Sequence, residues 1–386
     1  MRDRFLIFGA PHLLEEDLEA VMAVFRSGWI GTGPQAQALE ARFAAYAQSP
    51  YAIALSSCTA ALHLVIASLG IRPGEEVITT PMTFCATANA IVHAGAVPVF
   101  ADVDPLTGLI LPDEIEKRIT PKTRAILPVH LAGRSCAMEA IVALAEQYRL
   151  FLVEDCAHAI ETLYHGRHAG TFGDAGCFSF YVTKNVTAIE GGMVITPHEK
   201  LAEQIKTSAL HGMSRDAWAR FSDRGYKHYE VVSLGYKYNL PDVHAVLALS
   251  QLSRLEPNWQ RRKAVWEQYD RAFQDLPCLI PPAKEPETRH ARHLYTLLLD
   301  LEALRITRDE FLQELYARKI GCGVHYLALH LHKYYRETYH FQPQDYPNAL
   351  WHSDRTVSLP LSSGLTDQDA ADVIEAVLEI LTQYKK

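Results

Sequence analysis

Short apolar segments alternate with helical segments through the first two thirds of the chain. Segments typical of buried strands cover residues 51–55, 76–79, 97–101, 125–129, 151–154, 177–181 and 192–195. Between and before them, residues 14–26, 60–69, 86–93 and 137–148 are predicted to be helical. Strands that are apolar on both faces need helices on both sides of their sheet, and this alternation is typical of parallel sheets with crossover helices. The sequence therefore predicts an α/β fold with a covered central sheet.

A second, smaller unit is predicted toward the C-terminus. Residues 243–271 have the pattern of a long helix that is broken at Pro257, and a Pro-rich segment follows at 277–286. The next segments predict a strand at 293–299, a helix at 308–318, a strand at 323–326 and a final helix at 367–384. We therefore expect a large domain over residues 1–256 and a small α+β domain over residues 257–386.

The composition excludes several classes of partner. With 37 Lys+Arg and 45 Asp+Glu, the net charge of -8 provides no global basic field for nucleic acid or an anionic membrane. Seven cysteines, without a C-x-x-C pair, argue against a disulfide framework and against a zinc cluster. No segment resembles a membrane helix or a signal peptide. We therefore expect a cytoplasmic protein without a metal, in which a local site binds any anionic ligand.

Residues 56–60, Ser-Ser-Cys-Thr-Ala, lie between a predicted strand and a predicted helix. Their small side chains let backbone N–H groups and the Thr59 hydroxyl approach an anion. Unsatisfied amides and the helix dipole both favour phosphate at such a helix N-terminus. Because Ser and Thr are also preferred helix caps, a simple N-cap is the competing interpretation.

Two charged residues follow buried strands. Asp155 comes directly after the strand at 151–154, where open α/β sheets bind their ligands, although it could also cap the next helix. Glu154 is expected to point to the opposite face, because side chains alternate along a strand. Lys184 follows the strand that carries Ser179. It is either a solvated loop lysine or a pocket lysine with a lowered pKa, ready for Schiff-base chemistry.

One cofactor fits these residues as a set. Pyridoxal 5'-phosphate (PLP) needs an amine for its aldehyde, a helix N-terminus and hydroxyls for its phosphate, and a carboxylate for its ring nitrogen. Lys184, Thr59 with Ser179, and Asp155 supply these groups. Phe84 could stack on the ring, or it could be an ordinary core residue.

The chain resembles the DegT/DnrJ/EryC1/StrS family of PLP-dependent sugar aminotransferases over essentially its whole length. The matching segments are 27–34, 56–63, 154–158, 178–185, 190–192 and 235–242. The resemblance implies the aspartate aminotransferase-like fold (fold type I), with a mostly parallel seven-stranded sheet between helices and a small α+β C-terminal domain. Residues 235–242 and 323–326, and His211 and Gly212 with Asp216 and Trp218, are similar to the UDP-4-amino-4-deoxy-L-arabinose synthase branch.

The resemblance also implies roles for individual residues. Lys184 would form the Schiff base, Asp155 would pair with the ring nitrogen, and His158 would lie near the ring hydroxyl. The other implied cofactor contacts are Cys58, Thr59 and Ser179 at the phosphate, Phe84 on the ring, and Lys237 at the phosphate from the other subunit of a homodimer. The residues implied for the sugar-nucleotide pocket are Trp29, Ile30 and His325. A buried core histidine is the alternative for His325.

The implied reaction is a transamination through pyridoxamine 5'-phosphate (PMP). It would move the amino group of L-glutamate to a keto group, at C4, of a UDP-4-keto-pentose or a related UDP- or dTDP-4-keto-6-deoxy-hexose. A PMP-dependent sugar dehydratase is one alternative, but those relatives carry His where this chain has Lys184. A non-catalytic regulator of the same fold is another, and the net charge of -8 disfavours DNA binding.

Overall fold

The structure is a computed structural model, and it describes residues 2–214, 229–276, 278–282 and 287–386. Asp216, Trp218, Pro277 and residues 283–286, which the sequence analysis singled out, lie outside these residues. The helices of the described part are α1 (Glu15–Ser27), α2 (Pro34–Ala47), α3 (Cys58–Ser68), α4 (Cys85–His93), α5 (Pro112–Arg118), α6 (Met138–Tyr148), α7 (Glu199–Ala209), α8 (Asp242–Leu252), α9 (Leu255–Phe273), α10 (Arg308–Ala317), α11 (Lys333–Tyr339), α12 (Pro347–Arg355) and α13 (Asp367–Tyr384). Within that part of the chain, no helix has both the length and the apolar character needed to cross a membrane.

The strands of the described residues form three sheets. They are β1 (Tyr51–Leu55), β2 (Glu76–Thr79), β3 (Val97–Phe100), β4 (Thr123–Ile126), β5 (Phe151–Asp155), β6 (Leu163–Tyr164), β7 (Arg167–His168), β8 (Ala175–Ser179), β9 (Gly192–Thr196), β10 (Leu279–Ile280), β11 (Thr288–Arg289), β12 (Tyr295–Leu299) and β13 (Thr356–Leu359). The sheet orders are β1-β9-β8-β5-β4-β2-β3, β10-β12-β13 and β11-β6-β7.

The seven-stranded sheet is mostly parallel. The pairs from β8 through β5, β4 and β2 to β3 are parallel, whereas β9 runs antiparallel to both of its neighbours, β1 and β8. Side chains that alternate along β9 enter two different cores: Val194 enters one, and Met193 and Ile195 enter the other. Both faces of the sheet are therefore covered, which confirms the predicted α/β fold.

The antiparallel β9 brings three chain segments to one edge of this sheet. Its first residue, Gly192, pairs with Leu55 at the end of β1 and with Ser179 at the end of β8. The neighbouring β5 ends at Asp155, which pairs with Cys177 of β8. The turn after β1 and the ends of β5 and β8 consequently lie side by side.

The C-terminal part of the chain builds the three-stranded sheet β10-β12-β13 against helices. Its core includes Phe273 of α9, Leu297 of β12, Phe311 of α10 and Val377 of α13. The predicted strand at 323–326 is wrong, because only Gly323 pairs there, in an isolated bridge with Ser358. The chain leaves the ladder after this bridge, and the third strand of the sheet is β13.

The helix break is also placed differently from the prediction. Helix α8 ends at Leu252 and α9 begins at Leu255, so the break lies at residues 253–254 and not at Pro257. Pro257 lies in the first turn of α9, where a backbone N–H has no helical partner and its absence costs no hydrogen bond. Because α9 runs across residues 256 and 257, the domain boundary proposed there stays a prediction.

Candidate active site

A cavity of about 530 Å³ opens at the sheet edge where β1, β5 and β8 end. The predicted site residues that line it are Cys58, Thr59, Phe84, Asp155, His158, Ser179, Lys184 and His325. Trp29 and Ile30 do not line it, and their side chains are 46% and 43% exposed. Lys237 is also exposed on the surface of the chain. The cavity thus combines side chains from distant parts of the sequence.

The turn after β1 caps α3 and leaves the first turn of that helix open to the cavity. The Ser57 Oγ accepts a hydrogen bond from the Ala60 N–H at 3.0 Å and so caps α3. Thr59, in the first turn of the helix, remains exposed to the cavity. N–H groups of a first helical turn have no partner within the helix. The first-turn amides that Ser57 does not cap, together with the Thr59 hydroxyl, could therefore hold a phosphate.

Gly192 allows this turn to approach the sheet closely. A Cβ at position 192 would lie 2.4 Å from the Ser57 carbonyl carbon and 2.5 Å from the Cys58 nitrogen. Both are backbone atoms, so a side chain at this position would displace the turn itself. This close contact explains why the second of the two residues that follow Glu190 is glycine.

We expect Gly192→Ala to weaken cofactor binding by at least about tenfold, because displacing the turn removes hydrogen bonds to a charged group worth about 1.5–3 kcal/mol. Titration of the apoprotein with PLP, followed by absorbance, measures this change. Gly31→Ala is the matched control, because a Cβ there meets nothing within 4 Å. Equal cofactor affinity in the two variants would contradict the expectation.

Asp155 is buried at the end of β5, with both carboxylate oxygens engaged. Oδ1 accepts from the Ala157 N–H at 3.0 Å, and Oδ2 accepts from the Thr87 hydroxyl at 2.8 Å. Burial raises the pKa of Asp155, although these hydrogen bonds and the nearby Lys184 act against that rise. A cationic ligand group at Asp155 would stabilise the carboxylate against the cost of burial.

Sequence reasoning missed a pair of threonines that supports Asp155: Thr83, which precedes α4, and Thr87, which lies within it. Thr83 and Thr87 are buried, and their hydroxyl oxygens lie 2.7 Å apart. Because the Thr87 hydroxyl donates to Asp155, the Thr83 hydroxyl must donate to Thr87. Because Thr83 precedes the helix, the four-residue spacing is not a helical one, and no local pattern in the sequence signals this pair.

Lys184 emerges from the turn after β8 and lines the cavity. Its backbone N–H donates to the Tyr181 carbonyl at 2.9 Å. Burial lowers the pKa of the Lys184 amine to about 8, although the nearby Cys58 and Asp155 act in the opposite direction. With this pKa, about a tenth of the amine is neutral at pH 7 and about half at pH 8, and the neutral form is the nucleophile.

The rate at which the apoprotein captures PLP should rise with pH. Only the neutral amine attacks an aldehyde, so we expect the rate to rise about tenfold per unit below the pKa of Lys184 and to level off above it. Stopped-flow absorbance from about pH 6 to about pH 9.5 would record this profile. A rate that still climbs steeply at the upper end would indicate an unperturbed lysine and contradict the lowered pKa.

His158 and His325 are neutral side chains in the cavity wall. His158 accepts from the Ala132 N–H through Nδ1 at 3.2 Å, and its Nε2 lies 3.2 Å from the Tyr326 hydroxyl. The Nδ1 of His325 lies 2.8 Å from the Ser358 hydroxyl. Burial and the neighbouring Lys184 lower the pKa of both rings, well below the usual value for His158 and to about 3 for His325. Tyr326, which also lines the cavity, was missed by sequence reasoning.

A buried polar network lies behind Lys184. The Asn185 amide donates to Glu161 at 2.8 Å and to the Ala291 carbonyl at 3.1 Å, and Glu161 forms a buried ion pair with Arg262. The Asn185 oxygen lies 3.1 Å from Nδ1 of His293. These contacts tie the residue after Lys184 to three other segments, so the turn that carries the lysine is firmly held.

Glu154 faces away from the cavity, as the strand alternation predicts. Its carboxylate accepts N–H groups of Gly170 at 2.8 Å and Phe172 at 2.7 Å, and its Oε2 lies 3.0 Å from Nε2 of His130. Its role is therefore to hold the loop after β7.

The cavity residues fit PLP. The first turn of α3 with Thr59 suits a phosphate, the lowered pKa of Lys184 suits an aldehyde, and buried Asp155 suits a protonated ring nitrogen. Phe84, which is 59% exposed, leaves a ring face open for stacking.

A comparison of the whole sequence with family models agrees with this geometry. The model of the DegT/DnrJ/EryC1/StrS aminotransferase family matches residues 11–378. The chain belongs to this family. The DegT-family chain is 45% identical over 381 residues to the spore coat polysaccharide biosynthesis protein SpsC of Bacillus subtilis, with 98% of each chain covered.

Solved structures support the same assignment. The PLP form of Spr1654 from Streptococcus pneumoniae, named as a candidate sugar aminotransferase, matches the DegT-family chain with a TM-score of 0.91 and 32% identity. The match covers 98% of this chain and 99% of that one. DesI, solved in the presence of its TDP-sugar product, matches with a TM-score of 0.87 and 28% identity over 99% and 95% of the two chains. The protein is a PLP-dependent sugar aminotransferase of fold type I.

Proposed function

We propose that this enzyme transfers the amino group of L-glutamate to the C4 keto group of a nucleotide-linked sugar. The preferred substrate is a UDP-4-keto-pentose, with UDP- or dTDP-4-keto-6-deoxy-hexoses as close relatives. One observation carries the catalytic part of the proposal: Lys184, Asp155 and Thr59 line a single cavity. The sugar identity rests on the branch similarity of residues 235–242 and 323–326.

The cavity residues divide the work of holding the cofactor. Cys58, Thr59 and Ser179 would hold the phosphate, and Phe84 would cover one face of the ring. Asp155 would pair with the ring nitrogen, and His158 would lie on the side of the ring oxygen. When bound, the cofactor supplies an electron sink and carries the amino group between the two half-reactions.

Lys184 moves the protons. Its neutral Nζ accepts the proton that leaves the α-carbon of L-glutamate, and it then acts as the acid that returns a proton during the same half-reaction. In the second half-reaction the amine works in the reverse direction on the sugar. The pKa of about 8 lets one amine serve as base and acid near neutral pH.

A homodimer completes the site in this proposal. Lys237 is exposed and does not line the cavity of its own chain. We propose that it reaches the cofactor phosphate of the partner subunit, and that Trp29, Ile30 and His325 contact the sugar nucleotide. His325 lines the cavity, whereas Trp29 and Ile30 are exposed.

Mixing two inactive variants tests the shared site. In a dimer of Lys184→Ala and Lys237→Ala chains, one site has an intact Lys184 and receives an intact Lys237 from the other chain. We expect mixed dimers to regain up to about half of the wild-type activity, since one of two sites is restored. If Lys237 acts on its own chain, mixing restores nothing.

A substrate panel tests the sugar assignment. Nucleotide-linked 4-keto and 3-keto sugars are offered with L-glutamate, and 2-oxoglutarate is followed. The proposal expects the highest kcat/KM for the UDP-4-keto-pentose. Turnover of 6-deoxy-hexoses alone would refute the pentose assignment, and dehydration without 2-oxoglutarate would favour a dehydratase. Use of the product in lipid A modification or another polysaccharide belongs to the same proposal.

A further inference from the structure

The pair formed by Tyr326 and His158 has a defined hydrogen-bond direction. Nδ1 of His158 accepts the backbone N–H of Ala132 at 3.2 Å, so this nitrogen carries no proton. A neutral imidazole then carries its proton on Nε2. Burial and the nearby Lys184 keep the ring neutral by lowering the pKa of His158.

The direction of the next hydrogen bond follows. Nε2 of His158 lies 3.2 Å from the Tyr326 oxygen. Because Nε2 is the protonated nitrogen, it donates and the Tyr326 oxygen accepts. The O–H proton of Tyr326 is therefore available for another acceptor. Among the described residues, the structure shows no acceptor for it. Burial and the nearby Asp155 raise the pKa of Tyr326, so the hydroxyl keeps its proton.

The surroundings of Tyr326 place this donor in the ligand cavity. Tyr326 lines the cavity together with Lys184 and Asp155. Its ring stacks on His158 with an interplanar angle of 22° and lies 6.1 Å from the Phe84 ring between centroids. The Tyr326 hydroxyl is thus a donor held between His158, which is assigned to the ring oxygen, and Phe84, which is assigned to the ring face. Such a donor is suited to an oxygen atom of the bound molecule.

We propose that Tyr326 binds the ligand by donating its O–H to an oxygen atom, either the ring oxygen of the cofactor or an oxygen of the sugar. This proposal rests on the proposed function. His158 acts through Tyr326 as a positioning residue, because its fixed tautomer leaves the tyrosine only the donor role.

Tyr326→Phe removes the hydroxyl and keeps the ring. A hydrogen bond to the cofactor's ring oxygen withdraws negative charge from it. Loss of this hydrogen bond should make the bound cofactor hold its proton about tenfold more tightly. The pH at the midpoint of its visible absorbance change should therefore rise by about one unit. If the acceptor is on the sugar, the midpoint stays unchanged. In that case, kcat/KM for the sugar falls about 5- to 10-fold while the glutamate half-reaction keeps its rate.

Tyr335→Phe is the matched control. Tyr335 is buried and its hydroxyl donates to Asn89 at 2.6 Å, but it does not line the cavity, whereas Tyr326 is partly buried and lines it. We expect neither change in this variant. Should Tyr326→Phe fail to fold, 3-fluorotyrosine at position 326 provides a stronger donor of nearly the same size. Whichever of the two quantities Tyr326→Phe changes, the absorbance midpoint or kcat/KM for the sugar, fluorotyrosine should change it in the opposite direction.

The proposal is overturned if Tyr326→Phe and Tyr335→Phe give the same absorbance midpoint and the same sugar kinetics. It is also overturned if fluorotyrosine leaves both quantities unchanged. A wild-type protein that takes up no PLP would instead refute the proposed function. The two failures are therefore distinguishable.

Discussion

Lys184→Ala should lose the visible absorbance of bound PLP together with all measurable turnover. The substitution removes the amine that captures the aldehyde and the group that moves protons in both half-reactions. General acid–base catalysis alone contributes about 10²- to 10⁴-fold, so we expect kcat to fall by at least about 10⁴-fold. Absorbance spectra and release of 2-oxoglutarate from L-glutamate measure the two losses separately.

Lys122→Ala is the control for this experiment, because Lys122 is exposed and does not line the cavity. It should keep the colour and the activity of the wild type. Exogenous primary amines offer a second check, since a small amine that enters the cavity can partly replace the missing base. A Lys184→Ala protein that still turns over at the wild-type rate would remove the basis of the proposed mechanism.

Asp155→Asn should lower the rate of the glutamate half-reaction by about 10²- to 10³-fold, in line with the loss of one preorganised electrostatic contact. The amide has nearly the same shape but no negative charge to hold a proton on the ring nitrogen. It also places an N–H₂ group where Oδ2 now accepts from Thr87. Rapid-mixing absorbance with L-glutamate, in the absence of sugar, isolates this step.

Asp102→Asn is a matched control, since Asp102 is likewise buried but accepts the N–H groups of Asn348 and Ala349 and does not line the cavity. Thermal unfolding of both variants separates a loss of stability from a loss of catalysis. A decrease of less than about tenfold for Asp155→Asn would show that the carboxylate charge is not used in the reaction.

The chemistry-bearing residues were accessible from the sequence because each lies next to a buried strand. Asp155 and Lys184 follow apolar segments, and the carboxyl ends of such strands meet at one edge. Thr87 and Tyr326 were not accessible in this way. Thr87 contacts Asp155 across a separation that no local pattern encodes, and Tyr326 is one of several tyrosines in its aromatic segment. Only the tertiary packing shows that Tyr326, among these tyrosines, lines the cavity.

The same limit applies to the fold. Two-sided burial predicts the strands of the central sheet, but not that β9 inserts antiparallel between β1 and β8. In the small unit a strand was predicted at 323–326, whereas the edge strand of its sheet is β13, which was not predicted. Gly323 pairs with Ser358 on the side of β13 that faces away from β12, but the pairing stops after this one bridge. A single sequence does not reveal how far such a pairing continues.

The position of β9 has a consequence for how the protein acquires its cofactor during synthesis. Tyr51 and Thr196 are paired, so the edge of the sheet closes only after the chain has been made through β9. Contacts between segments this far apart form late, because a long loop must be ordered first. A nascent chain that ends before β9 already contains Thr59, Asp155 and Lys184 but lacks Gly192 beside the phosphate turn. The chain should therefore bind the cofactor only after the central sheet is complete. A ribosome-bound chain should remain colourless until β9 has emerged.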